Sequence, residues 1–224
     1  FFFFFSKGKV IVDGSKLANP NINTLARSIR YLLRTKPVTA RNLKTLLIRS
    51  DQHGNCVWQL YIKDKITDLI TPAEAAELPS QGGEVIFSNP KSPASVITER
   101  LESFGNTTLT DTILGTTFRY ATEGFFQVNI PVYEQALQDM KSWIPADRPT
   151  VDMYSGVGTI GLTIGSPDTV LVELNEHAVR EMQRNIADLG RSATAVLAAS
   201  EQALEHITSE RTIILDPPRA GLHA

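Results

Sequence analysis

Cysteine is nearly absent: Cys56 stands alone among 224 residues. That excludes a disulfide framework and any multi-cysteine metal or iron–sulfur site within the chain, and the default setting for such a chain is the cytoplasm. Long apolar runs are missing too. No stretch approaches the roughly 20 residues of a membrane span. The opening Phe1–Phe5 is too short for a signal-peptide core and lacks a basic leader; it reads as a strand or as the remnant of a cut end. Neither sign of charge dominates, with 22 Lys and Arg against 24 Asp and Glu. The chain as a whole therefore does not announce a polyanion partner, although a basic patch can sit on a near-neutral protein. What remains, 42% hydrophobic and 21% charged, is the composition of a soluble globular chain of one or two domains.

The front half, 1–120, reads as a small α+β domain. Asn19-Pro-Asn-Ile-Asn-Thr opens a helix with Ile22, Leu25, Ile29, Leu32 and Leu33 at helical spacing. Arg27, Arg30 and Arg34 fall mainly on the other side, either as a phosphate-facing edge or as a solvated face. Leu43–Arg49 and Cys56–Lys63 read as strands around an Asp-, Gly- and Asn-containing turn in which His53 is a surface residue. Cys56 reads as a buried structural thiol, since no helix N-terminus or basic neighbour is evident to lower its pKa. Glu84–Ser88 is a further strand candidate, and Asn106–Phe118 holds threonine-rich β segments hinged at Gly115.

Beyond residue 120 the texture changes. A helix starts at Pro131 with an apolar stripe of Val132, Ala136, Leu137, Met140 and Trp143. Strands at Val151–Tyr154, Thr169–Glu173, Ala193–Leu197 and Thr212–Leu215 then alternate with helices, one ending near Gly165, one over Glu176–Leu189 and one about Glu201–Ile207. Strand–helix alternation with short connections predicts a parallel α/β sheet over 121–224, with its ligand at the carboxyl ends of the strands.

The centre of that half is Thr150-Val-Asp-Met-Tyr-Ser-Gly-Val-Gly-Thr-Ile-Gly-Leu: a buried strand, a tight turn and the start of a helix. No Lys follows the glycines, so a phosphate-binding P-loop is excluded. The strand ends supply Asp152 with the Gly156 and Gly158 turn, then Glu173, suited to both ribose hydroxyls of a nucleoside. After them come Glu201, placed for an adenine amino group, and Asp216-Pro-Pro-Arg. An acid ahead of the glycine turn suits a cationic ligand better than an anionic one, and S-adenosyl-L-methionine fits. Any one of these acids alone would read as a cap or a solvated loop end; their order together points to a nucleoside-cofactor site.

Phe125-Phe-Gln-Val-Asn, Asp152-Met-Tyr-Ser-Gly-Val-Gly-Thr-Ile-Gly-Leu, Val172-Glu, Asn185 and Asp216-Pro-Pro-Arg-Ala-Gly-Leu together resemble the RNA uracil-5 methyltransferase family, whose members form 5-methyluridine in transfer or ribosomal RNA. The likeness covers Gly124–Leu222 well and reaches more faintly to Asp13-Gly-Ser-Lys-Leu-Ala-Asn-Pro-Asn-Ile-Asn. It implies a Rossmann-like methyltransferase sheet, C-terminally incomplete here, with S-adenosyl-L-methionine as cofactor, RNA as partner, and no membrane or metal. It also implies thiolate addition to C6 of a flipped-out uracil, methyl transfer to C5, and removal of the C5 proton. In that scheme Gln127, Asp152, Gly156, Gly158, Glu173, Glu201 and Asp216 bind the cofactor, Asp216 also stands beside the target base, and Arg219 supports its loop. Phe125 and Phe126 are packing or base-stacking residues, and Asn129 helps hold the site or caps a helix.

Three departures accompany the resemblance. The family's nucleophile lies in a Ser-Cys-Asn-Pro segment after the Asp-Pro-Pro-Arg loop, with its proton-abstracting glutamate later still, and this sequence ends at Ala224. The expectation is therefore a fragment with the cofactor half of the site, inactive by itself; Cys56 lies too far upstream to take the nucleophile's place. Ser155 and Ser15 stand where relatives carry cysteines, and the family's amino-terminal RNA-binding barrel is not visible. Two rivals stay open: an amino-group methyltransferase, which Arg219 disfavours by standing where those enzymes carry an aromatic, and a non-catalytic methyltransferase-like RNA-binding protein. A nicotinamide dehydrogenase is more distant, because no hydride-transfer constellation accompanies the glycines.

Overall fold

The computed structural model describes the backbone of residues 2–5 and 8–11 and the whole of residues 13–207, 210–218 and 221. The chain divides into two compact units, Phe1–Leu109 and Thr110–Ala224. The division falls earlier than the expected boundary after Tyr120.

In the first unit, β1 (Phe2–Phe5) and β2 (Gly8–Ile11) form an antiparallel ribbon. Helix α1 (Pro20–Arg34) starts where the Asn19 side chain accepts from the Asn21 amide, with Pro20 at the first helical position. It buries Leu25, Ala26, Ile29 and Leu33. Those side chains pack on Trp58, Leu60 and Ile62 of a four-stranded sheet. The sheet order is β3 (Leu43–Ser50), β4 (Cys56–Ile62), β5 (Gly82–Phe87), β6 (Glu99–Gly105); β4 and β5 run parallel and the outer pairs antiparallel. The short helix α2 (Pro72–Ala76), closed by a Thr71/Glu74 capping box, lies in the crossover between the parallel strands. The β3–β4 turn is built by Asp51, whose carboxylate accepts from the amides of His53 and Asn55.

The sequence reading misses β6 and α2. In β6 the run Glu99-Arg100-Leu101-Glu102 carries no alternation, and a bulge at its pairing with β5 interrupts the register. Helix α2 is too short for any periodicity to show. Cys56 is buried beside the turn, and burial raises its thiol pKa.

Strand β7 (Thr108–Ile113), most of it in the second unit, pairs with β8 (Thr116–Ala121) in a two-stranded sheet. Leu114 and Gly115 link them, both left-handed at φ 48° and 79°, the backbone that suits the twist of a two-residue hairpin. Helix α3 (Ile130–Lys141) follows. Four strands then form a wholly parallel sheet in the order β11 (Ala193–Leu197), β10 (Thr169–Glu173), β9 (Thr150–Met153), β12 (Thr212–Leu215). Helix α4 (Thr159–Ile164) connects β9 to β10, and α5 (Glu176–Asp188) connects β10 to β11. The chain starts at β9, builds two strands outward, then returns to the other side of β9. That reversal marks the carboxyl ends of β9 and its neighbours as the crevice for a ligand.

Two helical expectations change. Glu201–Ile207 forms single 3-10 turns, Ser200–Gln202 and Leu204–His206, rather than a helix. Ser200 and Ala203 are buried there while Leu204 is 61% exposed, so no apolar stripe exists to hold a continuous helix. In α3 only Leu137 is buried; Val132 is 64% exposed and Trp143, past the helix end, 74%. The helix is turned to seat Leu137 and to bring the Tyr133 hydroxyl 3.0 Å from Thr159 Oγ1. Among the described residues no helix is long and apolar enough to cross a membrane.

Candidate functional site

The site is built on the turn Tyr154–Gly158 at the carboxyl end of β9. Tyr154, Gly156 and Gly158 all have positive φ, at 60°, 58° and 89°. Such a backbone is natural for glycine but strained for tyrosine, and strain of this kind gathers at functional turns. Gly158 caps α4 in the left-handed conformation. The Ser155 hydroxyl donates to Val172 O at 3.0 Å and so ties the turn to the next strand.

Glu173, the last residue of β10, is the second fixed point. One carboxylate oxygen accepts from the Gly156 amide at 2.9 Å and the other from the Asn175 amide at 2.8 Å. A carboxylate has about four acceptor positions, so two bonds leave room for hydroxyl donors. Glu201 is the third. It lies in the first 3-10 turn, where one of its oxygens accepts from the Tyr154 hydroxyl at 2.8 Å. That bond to a carboxylate holds the phenol on its proton and raises its pKa. Asp216 follows β12 directly; Leu215 of that strand pairs with Met153, which sets Asp216 level with the start of the glycine turn. Asp216 is exposed, and its charge adds to the field on Asp152 and on Tyr133.

Asp152 has a different place from the expected one. It is fully buried behind the turn, where one oxygen accepts from the Gly161 amide at 2.8 Å and the other has no hydrogen-bond partner. A group with no exposed surface shapes the turn instead of touching a ligand. Burial is the main force on its proton, with the charges of Asp216 and Glu173 adding to it and the Gly161 amide opposing; the carboxyl is pushed up to about 7.

The structure thus ties Gly156, Glu173, Glu201 and Asp216 to one strand-end cluster, with Asp152 and Gly158 supporting it from below. Gln127 is half-buried in the segment joining β8 to α3, and among the described residues no hydrogen bond links it to the glycine turn. The two phenylalanines part company. Phe126 is buried and stacks on Tyr120, centroids 4.1 Å apart, whereas Phe125 is 72% exposed. Asn129 occupies the N-cap position of α3 but makes no side-chain capping bond. Arg219 lies outside the described residues.

Two residues in the cluster escape a reading for strand-end acids. Tyr133 hydrogen-bonds Thr159 in the first turn of α4, and burial pushes its hydroxyl up to about 12. It fastens α3, and with it the segment that carries Gln127, to the glycine turn. Tyr154 holds Glu201. A reading for hydrophobic stripes places tyrosines with the core; the signal that would have found these two is their position beside polar site residues. Asn185, which the resemblance singles out, is buried in α5 and donates to Val157 O and Arg119 O while accepting from the Arg119 amide. Among the described residues no group of three His, Cys, Asp or Glu side chains is placed to hold a metal ion.

No protein-family model matches the chain. In sequence it is similar to an uncharacterized RNA methyltransferase of Streptococcus pyogenes, 34% identical over 128 residues that cover 53% of this chain and 28% of the relative. A counterpart in Protochlamydia amoebophila is 26% identical over 141 residues, 60% of this chain and 37% of that protein. The matched stretch thus spans well under half the length of these curated relatives. In fold the chain is similar to the crystal structure of Pyrococcus abyssi tRNA (uracil-54, C5)-methyltransferase in complex with S-adenosyl-L-homocysteine. The TM-score is 0.80 at 18% identity, covering 96% of this chain and 56% of that one. The α/β fold with its parallel sheet matches the fold of that structure over nearly the whole of this chain.

Proposed function

We propose that this chain is the cofactor-holding part of an RNA methyltransferase that uses S-adenosyl-L-methionine to methylate C5 of a uridine in transfer or ribosomal RNA. The observation that carries the proposal is the fastening of Glu173 to Gly156 and of Glu201 to Tyr154, both on the turn that ends β9. The residues suit the cofactor. Glu173 and Asp216 form no ion pair among the described residues, and the charge of each adds to the cost of ionising Asp152 beneath them. An edge charged in this way favours a ligand carrying a positive sulfonium. Above Gly156 the space is open, since a side-chain carbon there would meet nothing within 4 Å.

When bound, S-adenosyl-L-methionine supplies the methyl group. The chain's own part is to hold and orient. Glu173 accepts the ribose hydroxyls, Glu201 accepts the adenine amino group, and the Gly156–Gly158 backbone lies against the methionine portion. Gln127 contacts the cofactor from the β8–α3 segment, and Asp216 stands between the cofactor and the target base. Cys56 is buried in the other unit and protonated, so the thiolate that the uracil chemistry calls for comes from elsewhere.

Two measurements test this reading. In calorimetric titration with S-adenosyl-L-methionine, Glu173→Ala is expected to weaken binding by about 10- to 100-fold, the worth of about 1.5–3 kcal/mol of hydrogen bonding to a charged group. Equal affinity in the variant would remove Glu173 from the site. For the acceptor atom, RNA tritiated at uridine C5 releases tritium to water when C5 is methylated; methyl incorporation with the label retained would point to an amino group instead.

A further inference from the structure

The two units divide the charge of the chain unequally. Residues 1–109 carry 14 Lys and Arg against 9 Asp and Glu, a net +5, while residues 110–224 carry 8 against 15, a net −7. The near-neutral total hides a cationic unit and an anionic one. Within the cationic unit the outer side of α1 gathers basic side chains and carries no acid of the helix itself. Its sequence, PNINTLARSIRYLLR, contains no acidic residue. Leu25, Ala26, Ile29 and Leu33 face the core, which leaves Arg27, Arg30, Tyr31 and Arg34 together on the opposite side, spaced three or four residues apart.

The local contacts of these side chains leave their charge unanswered. Among the described residues Arg27 donates to the Asp13 carbonyl and the Thr24 hydroxyl, both at a long 3.5 Å. Arg30 Nε is shielded from solvent and has no acceptor. Tyr31 is 58% exposed in the middle of the row, and the Arg30 guanidinium sits 5.6 Å from its ring centre. That is cation–π range, so the ring is held in place by its neighbour. Elsewhere in the unit Lys36 pairs with Glu74, Lys65 with Glu99 and Arg100 with Glu84. The α1 arginines enter no such pair among the described residues.

We propose that the outer side of α1 is an RNA-binding surface on which Arg27, Arg30 and Arg34 meet backbone phosphates and Tyr31 stacks on a base. The inference rests on the RNA methyltransferase reading and assigns the substrate a place of contact on the cationic unit. Arginine suits phosphate because its planar fork donates two parallel bonds. The exposed aromatic selects among polyanions: a base offers a face to stack on, which a lipid headgroup or an acidic peptide does not.

The test uses the whole chain, a fluorescently labelled uridine-containing RNA stem-loop, and anisotropy measured across a salt series. The Arg27→Gln/Arg30→Gln/Arg34→Gln variant keeps a helix-compatible side chain at each position. It is expected to flatten the plot of log affinity against log salt by about 2–3, since each lost phosphate contact removes about 0.7–0.9 from the slope. Tyr31→Ala is expected to weaken binding about tenfold with the slope unchanged. Affinity for S-adenosyl-L-methionine and the melting temperature should match wild type in both, which separates a lost RNA contact from a lost fold. An unaltered slope in the triple variant would overturn the proposal while leaving the cofactor reading intact. So would an equal weakening by Arg30→Gln and by the exposed Lys91→Gln, because binding would then follow overall charge and not this helix. Failure to bind the cofactor would strike the methyltransferase reading and leave the salt slope still able to decide on α1.

Discussion

Asp152→Asn gives the sharpest test of how the glycine turn is held. In the native chain Asp152 is wholly buried, one oxygen fixed to the Gly161 amide and the other without a partner, and its carboxyl is pushed from 3.8 up to about 7. In the unfolded chain it titrates near the ordinary 3.9. Between those values the folded form binds more protons than the unfolded form, so stability falls as pH rises through this window. Through this group the fold is therefore about 2–3 kcal/mol less stable at pH 8 than at pH 5, from about 1.4 kcal/mol per pH unit tapering off near pH 7. Asparagine cannot ionise, yet its side-chain oxygen can still accept from Gly161. Urea unfolding followed by circular dichroism at pH 5, 6, 7 and 8 is expected to show the wild type losing stability relative to Asp152→Asn by about that amount. The difference between the two proteins is the quantity to read, because titrating groups that do not interact with Asp152 cancel. A difference that stays flat with pH, or grows in favour of the wild type, would refute the claim that burial dominates this carboxyl.

Gly161 and Gly156 should respond differently to alanine. A side-chain carbon at Gly161 would fall 2.4 Å from Leu171 Cδ2 and 3.0 Å from Asp152 Oδ2, so Gly161→Ala is expected to cost about 1–3 kcal/mol of stability. At Gly156 nothing lies within 4 Å and only the φ of 58° opposes a side chain; Gly156→Ala should cost about 1 kcal/mol in chemical denaturation. A smaller loss at Gly161 than at Gly156 would contradict both assignments. Cys56 is 2% exposed and its thiol pKa is raised, so a thiol-specific reagent at neutral pH should label it only as the chain opens. Labelling at the rate of a free thiol in native buffer would be the opposite result.

The parallel sheet was legible because its strands are short apolar runs set off by turns and helices. Thr169–Glu173, Ala193–Leu197 and Thr212–Leu215 coincide with the observed strands. The placing of Glu173 and Glu201 followed from that topology, since strand order decides which ends meet. Asp152 was misplaced for a reason that spacing cannot reveal. Its chain position matches a ligand-facing acid, but its side chain turns toward the Gly161 amide, a choice made by the orphaned amides at the start of a helix. Nor could hydropathy foretell the rotation of α3. Val132 and Trp143 look like core, yet one hydrogen bond from Tyr133 and the burial of Leu137 set the helix facing another way. The charge partition was present in the sequence but is invisible until the boundary between the units is known, because the whole-chain total cancels it.

Asn185 has a further consequence. One amide on α5 grips the backbone of Arg119 in β8 from both sides and the carbonyl of Val157 in the glycine turn. The hairpin and the turn are thereby riveted to the same point on one helix, as two arms of a bracket share a bolt. Displacing either arm drags on the other, so the floor of the strand-end crevice inherits its rigidity from a residue that never comes to the surface.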